Sequence, residues 1–157
     1  MSKNLKILHA IIEECRNHQS RMNYAFNKLA NRIPLDAKGI ISDEIVAALD
    51  QYIFRFSKLQ DTIGQRLFKE SLRFFGEEVY SKPFLDIFNR LEQLRAIKDY
   101  ELWNDLRIIR NEIAQEYDEN KSELIEKLNR IISSKTILEN YLESVVSYLK
   151  RQSPESF

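Results

Sequence analysis

Apolar residues recur at alternating intervals of three and four over nearly the whole chain. This spacing keeps them on one side of an α-helix, so it is typical of helices that bury one face. The first such series is apolar except for Gln19 and consists of Leu5, Leu8, Ile12, Cys15, Gln19, Met22, Phe26 and Leu29. It predicts a first helix over about residues 4–30.

A long second helix is predicted to begin after Ser42. Residues 31–41 contain proline, aspartate and glycine, which favour a loop, and Ser42 is a suitable N-cap with two acidic residues after it. The spacing of three and four then continues through Ile45, Leu49, Tyr52, Phe56, Leu59, Ile63, Leu67 and Phe68. Gly76 is a candidate terminator. Gly64 lies inside the helix, where we expect either a close approach by another backbone or a kink.

The second half of the chain predicts a helical hairpin followed by a long final helix. A shorter helix follows Pro83 and carries Phe84, Ile87, Leu91 and Leu94. Asp99 is a candidate N-cap for the next helix, and Asn120 with Glu123 has the spacing of a capping box for the last one. The apolar positions of that last helix are Leu124, Leu128, Ile131, Leu138, Leu142, Val145 and Leu149. We expect residues 152–157 to be frayed.

Together these segments predict an all-α fold in a single domain over residues 1–151. Short connections favour antiparallel neighbours, so we expect an up-and-down four-helix bundle with one additional short helix. The composition agrees, because the 157 residues are 43% hydrophobic and include only three glycines and three prolines. A chain of this length can form one core that buries roughly two thirds of the unfolded surface.

Charge and cysteine content limit the classes of function. Lysine plus arginine equals aspartate plus glutamate at 24 each, so the whole chain has no electrostatic preference for nucleic acid, and any contact with RNA has to be local. Cys15 is the single cysteine, and no apolar run has the character of a signal peptide or a membrane span. We therefore expect a cytoplasmic protein without an intrachain disulfide or a membrane association.

The stretch from Asp105 to Tyr117 concentrates arginine, amide and tyrosine side chains within about three helical turns. The predicted core-facing positions of this helix are Leu102, Leu106, Ile109 and Ile113, and its predicted polar face comprises Asn104, Arg107, Asn111, Gln115 and Asp118. Trp103, Arg110 and Tyr117 form a row along the border between the two faces. From the residues alone, a solvated face with Trp103 and Tyr117 at the margin of the core is one interpretation.

Arg110, Asn111 and Tyr117 match the pattern Arg-Asn-x-x-x-His-x-Tyr, and the chain thereby resembles the HepT-like branch of the HEPN superfamily. Gln115 stands where that pattern has histidine. The resemblance implies a homodimer in which two signature helices meet, and an arginine and a histidine that form a metal-independent ribonuclease site with no cofactor. It also implies a partner, a nucleotidyltransferase of the MNT type, which neutralises the toxin and can transfer AMP to a tyrosine near the motif, here Tyr117.

The chemistry of such a site suggests a role for each matched residue. A cation has to stabilise the phosphorane that forms when a ribose 2′-OH attacks, and Arg110 can supply it. Arg107 and Arg110 are the candidate RNA- or nucleotide-binding residues, and Asn111 can orient the phosphate. Gln115 has no ionisable group, whereas general acid–base catalysis is typically worth about 10²- to 10⁴-fold. We therefore predict weak or absent ribonuclease activity.

Several interpretations stay open at this point. The chain is the toxin-type subunit of a two-gene toxin–antitoxin module with an impaired site, or a non-catalytic subunit that binds substrate or nucleotide for a nucleotidyltransferase, or a helical interaction protein unrelated to HEPN. His9 and His18 are poor substitutes for the missing histidine and form no metal site together, because nine residues place them on opposite sides of one helix. A basic run in the second helix is either the flank of an RNA groove or a solvated face, and it comprises Arg55, Lys58, Arg66, Lys69 and Arg73.

Overall fold

The computed structural model describes residues 2–36, 42–115 and 121–157, including all their side chains except those of Gln115 and Lys121. The regular structure of these residues is entirely helical, which confirms the predicted all-α class. The helices are α1 (Lys3–Leu29), α2 (Asp43–Thr62), α3 (Phe68–Phe74), α4 (Phe84–Gln93), α5 (Tyr100–Gln115), α6 (Lys121–Ser133) and α7 (Lys135–Gln152).

Helix starts follow the predicted capping residues wherever the structure describes them. The Ser42 hydroxyl accepts a hydrogen bond from the Ile45 N–H at 3.3 Å. The Asp99 carboxylate accepts one from the Leu102 N–H at 3.1 Å. Each bond satisfies a backbone donor that the first turn of a helix leaves without an intrahelical partner. The predicted cap Asn120 lies outside the described residues.

The predicted long second helix is continuous from α2 to α3 through one π-helical turn, Ile63–Leu67. The Phe68 N–H bonds to the Ile63 carbonyl, five residues back, instead of the usual four. Gly76 follows the end of α3 with a φ of +85°, a conformation that glycine adopts without strain. Gly76 is thus the terminator that the sequence predicts.

Gly64, where we expected either a close approach by another backbone or a kink, lies in this π-helical turn and faces a side chain of another helix. A Cβ atom at this position would stand 2.8 Å from Cζ2 of Trp103. The Trp103 side chain is only 2% exposed. The interpretation that places it at the margin of the core is therefore wrong, because the missing side chain of Gly64 leaves room for the whole indole ring inside.

The predicted long final helix is divided at Ser134 into α6 and α7. The Arg130 carbonyl accepts from the hydroxyls of Ser133 and Ser134, at 2.9 and 2.7 Å, and also from the Ser134 N–H at 3.1 Å. Serine hydroxyls that bond to backbone carbonyls compete with regular helical bonding. Two consecutive serines thus account for the interruption, which the apolar spacing on either side does not signal.

The core between α4, α5 and α7 is aromatic and is closed by the start of α3. The Trp103 ring centroid lies 5.1 Å from that of Phe68, 6.2 Å from that of Phe84 and 5.0 Å from that of Tyr141. The Phe88 ring completes the cluster, 6.0 Å from Phe68 and edge-on to it. The pair of Trp103 with Phe84 is stacked and the other pairs are tilted or edge-on, all of them geometries that aromatic rings favour.

Residues 152–157, for which the sequence predicts fraying, are packed in the structure. The Phe157 ring stacks on His9 at 5.1 Å and meets Phe74 edge-on at 5.7 Å. The His9 Nε2 atom lies 2.8 Å from the Ser156 carbonyl. Contacts to α1 and α3 therefore hold a segment whose short polar sequence carries no periodicity of its own.

Candidate functional site

The exposed flank of α5 carries most of the residues that the sequence singles out. Leu106 and Ile109 face the core as predicted, each 2% exposed, and Ile113 does so at 9%. Arg107 and Asn111 are exposed, as predicted for the polar face. This flank also includes an apolar side chain that the sequence analysis did not single out, Ile108, which is 42% exposed.

Arg110 is bound at both ends of its guanidinium by one carboxylate. Its Nη1 donates to Oδ1 of Asp61 at 2.5 Å, and its Nη2 donates to Oδ2 at 2.8 Å. The two side chains are 34% and 28% exposed. Two parallel charge-assisted bonds of this kind hold the guanidinium in position and balance its positive charge. Asp61, which lies between Lys58 and Arg66 in the basic run of the second helix, is thus the direct partner of the motif arginine.

The contact between Trp103 and Gly64 explains why Arg110 meets Asp61. Trp103 and Arg110 are seven residues apart and lie on the same side of α5, two turns from one another. Gly64 and Asp61 are about one turn apart. The indole lies directly against this glycine of the π-helical turn, and two turns further along α5 the Arg110 side chain reaches Asp61 near the end of α2.

The surroundings of Arg107 differ from those of Arg110. Its guanidinium lies over the Phe84 ring, 5.6 Å from the ring centroid, and the Phe84 ring itself approaches Gly64. Among the residues that the structure describes, no carboxylate forms an ion pair with Arg107. Stacking on an aromatic face positions a guanidinium while leaving its N–H donors available to an anion.

The remaining motif residues are placed only in part. Asn111 is exposed on α5 directly after Arg110. Gln115 is the last residue of α5, and its side chain is outside the description. Tyr117, the candidate AMP acceptor, lies outside the described residues. The structure therefore brings together Arg107, Arg110 and Asn111 on one helix and leaves the end of the motif unplaced.

The basic run of the second helix consists mostly of partnered cations. Arg66 pairs with Glu14 of α1. Arg73 pairs with Glu70 at 3.2 Å and lies over the Tyr80 ring. Partnering of this kind favours the interpretation of the run as a solvated face with local ion pairs.

Arg55 differs from these cations because its partner is a neutral ring. One Arg55 Nη atom lies 3.0 Å from Nδ1 of His18, and since arginine can only donate, that nitrogen accepts. Burial, and then the charge of Arg55, lower the pKa of His18. His18 is thus engaged with α2, and His9 with the C-terminal segment, so the contacts of both histidines lie away from the α5 motif.

Two buried polar side chains near the Gly64 contact have no hydrogen-bond partner among the described residues. They are Gln60, through both Nε2 and Oε1, and Trp103, through Nε1. Gln60 of α2 lies about one turn before Gly64, and the Trp103 ring contacts Gly64 directly. Unsatisfied buried groups are costly, which sets this contact apart from ordinary core packing.

The described residues contain neither a cluster of metal-binding side chains nor a membrane-spanning helix. No group of three or more histidine, cysteine, aspartate or glutamate side chains there has the arrangement of a metal site. No helix in that part of the chain is long and apolar enough to cross a membrane. Comparison of the chain with models of protein families, with curated proteins and with solved structures found no match.

Proposed function

We propose that this chain is a HepT-like HEPN subunit that acts with an MNT-type nucleotidyltransferase in a two-gene toxin–antitoxin module. In this proposal the helices form a four-helix bundle, and two copies pair so that their α5 helices face one another. The observation that carries it is the flank of α5, where Arg107, Arg110 and Asn111 follow one another on a partly exposed surface next to a π-helical turn. Turns of this kind frequently occur at functional sites.

The side chains of the proposed site are better suited to binding phosphate than to transferring protons. Arg107 and Arg110 can both donate to phosphate oxygens, and arginine is well suited to that geometry. Gln115 can donate and accept hydrogen bonds but cannot act as a general acid or base. Ribonuclease activity is accordingly impaired in this proposal, with a site that retains affinity for RNA.

The second candidate is a non-catalytic subunit that presents substrate or nucleotide to the nucleotidyltransferase. Gln115 favours it, because a binding subunit does not require proton transfer. Both candidates share the nucleotidyltransferase partner, so co-purification with such an enzyme encoded beside this chain supports the pairing and not the activity. Tyr117 is the proposed AMP acceptor in the toxin-type candidate.

The experiment is a ribonuclease assay on a mixed pool of tRNA and mRNA. The parent, Arg110→Ala, Gln115→His and Gln115→His combined with Arg110→Ala are compared. Arg16→Ala in the Gln115→His background is the matched control, because it also removes one arginine from a partly exposed ion pair between helices, that with Glu143. We expect a silent or weak parent, cleavage by Gln115→His that survives Arg16→Ala, and loss of that cleavage with Arg110→Ala.

Each departure from this pattern has a definite meaning. Strong cleavage by the parent that Arg110→Ala abolishes would show that the acid–base argument about Gln115 is wrong. No cleavage by any variant would favour the non-catalytic binding subunit. Cleavage that is insensitive to Arg110→Ala would place the activity elsewhere and contradict the proposed site.

A further inference from the structure

Arg110, the cation on which the proposed site depends, is already occupied. Asp61 takes one N–H from each terminal nitrogen of its guanidinium, at 2.5 and 2.8 Å. This is the edge with which an arginine also binds two oxygens of a phosphate group. A phosphate that approaches along this edge therefore meets a carboxylate with the same geometry and the same sign of charge.

The pair is open enough for exchange. Its two side chains are about one third exposed, 34% for Arg110 and 28% for Asp61, so solvent and salt screen the attraction between them. The neighbouring Arg107 has no carboxylate partner among the described residues and is held over Phe84. Within the described part of the chain, an arginine without a carboxylate partner and an arginine paired with Asp61 thus lie a single turn apart on α5.

We propose that Asp61 is an internal competitor that holds Arg110 in place until a phosphodiester group of RNA displaces the carboxylate. Arg107 attracts the phosphate first, and Arg110 then exchanges Asp61 for a phosphate oxygen. Asp61 thereby acts as a positioning residue that holds the Arg110 guanidinium in place and lowers the affinity of the protein for RNA. This inference rests on the proposed function, because it takes the α5 flank to be an RNA-binding surface.

The test measures the affinity of the protein for a fluorescently labelled single-stranded RNA, by anisotropy, over a series of salt concentrations. Asp61→Asn keeps the shape of the side chain and removes its charge. Glu143→Gln is the matched control, because it removes the same charge from another interhelical pair with arginine, that with Arg16. Both variants are checked by circular dichroism for native helix content.

We expect Asp61→Asn to lower the Kd several-fold more than Glu143→Gln does. The slope of log K against log salt should change by less than about 0.7, the value for one phosphate contact with a single strand, because Arg110 contacts phosphate in both proteins once RNA is bound. Arg110→Ala should abolish the gain in the Asp61→Asn background, since the freed cation is then absent. A gain for Asp61→Asn that equals that of the control, or one that survives Arg110→Ala, overturns the inference.

The same measurements separate this inference from the function on which it rests. If Arg107→Ala and Arg110→Ala weaken binding while Asp61→Asn brings no gain, the RNA surface stands and the competitor role of Asp61 is wrong. If neither arginine substitution changes binding, or if no variant binds RNA, both the surface and the competitor are contradicted. The single variants are also compared in thermal unfolding, so that loss of structure is distinguished from loss of a contact.

Discussion

Cys15 is a core residue on the buried face of α1. It is completely buried, and burial, with a smaller contribution from Glu14, raises the pKa of its thiol to about 12. The cations Arg16 and Arg66 act in the opposite direction but are outweighed. Because the thiolate is the reactive form, a thiol held protonated in this way serves packing and not chemistry.

This thiol makes the stability of the fold depend on pH in the alkaline range. Its folded pKa is raised above the ordinary value of 9.0, so the stabilisation is complete below pH 9.0 and is lost as the pH rises toward about 12, where the unfolded chain has released a proton that the folded chain still holds. We expect Cys15→Ala to flatten the decline of the free energy of unfolding between these pH values. Urea unfolding at a series of pH values measures it.

The buried phenols of Tyr52 and Tyr141 also have raised pKa values, and both are present in the parent and in the variant. They therefore contribute equally to the two curves, and only the difference between the curves reports on Cys15. An unchanged difference in stability across this range would show that the thiol does not carry the effect. Such a constant difference between the two free energies of unfolding would reflect only the loss of the sulfur atom from the core.

At the level of helices, the close contact of α5 with the π-helical turn decides the geometry of the candidate site. Gly64 permits it, because a Cβ atom there would lie 2.8 Å from Cζ2 of Trp103. Alanine would gain up to about 1 kcal/mol from its helix propensity. The clash outweighs this gain, since the indole is buried on all sides and has no free end that could move.

We predict that Gly64→Ala lowers the free energy of unfolding by about 1–3 kcal/mol, the usual cost of inserting a methyl group into a packed core. Trp103→Phe removes the outer part of the indole and should relieve much of this loss when the two substitutions are combined. Chemical denaturation of the parent, both single variants and the double variant gives the coupling energy. Additive losses in the free energy of unfolding would mean that Gly64 and Trp103 are not in steric contact.

Gly76→Ala is the control for the backbone contribution. A Cβ atom there meets nothing within 4 Å, but the φ of +85° is unfavourable for alanine. We expect a loss of about 1 kcal/mol that Trp103→Phe does not change. A coupling confined to Gly64 would therefore identify a steric contact between helices and exclude a general intolerance of the α2–α3 segment toward alanine.

On the scale of the whole molecule, the segment after α7 ties the two ends of the described chain to one another. Phe157 lies between His9 of α1 and Phe74 of α3, and the Ser156 carbonyl is 2.8 Å from the His9 ring nitrogen. A carbonyl only accepts, so this nitrogen carries the proton. The contacts join residues far apart in sequence and oppose the separation of α1 from α3.

We predict that Phe157→Ala lowers the free energy of unfolding by about 1–2 kcal/mol, from the loss of two aromatic contacts and the apolar area that they cover. Phe54→Ala is the matched control, because that ring is 51% exposed and should matter by no more than about 0.5 kcal/mol. Urea unfolding measures both. Equal and negligible losses would indicate a frayed segment, as the sequence predicts.

The sequence by itself determined what depends on near neighbours in the chain. The spacing of apolar residues predicts helices because each turn brings residues three and four apart onto one face. The caps Ser42 and Asp99 and the terminator Gly76 follow from local hydrogen bonding and backbone freedom. The resemblance to HEPN rests equally on a short stretch, and it remains a proposal.

Only the tertiary structure decided what depends on residues far apart in sequence. Asp61 and Arg110 are 49 residues apart, and nothing in either local pattern marks them as partners. The burial of Trp103 depends on a glycine of another helix, and the docking of Phe157 depends on α1 and α3. Periodicity says which side of a helix is apolar. The packing of that side against particular neighbours is set by shape and charge across the core, which no single segment contains.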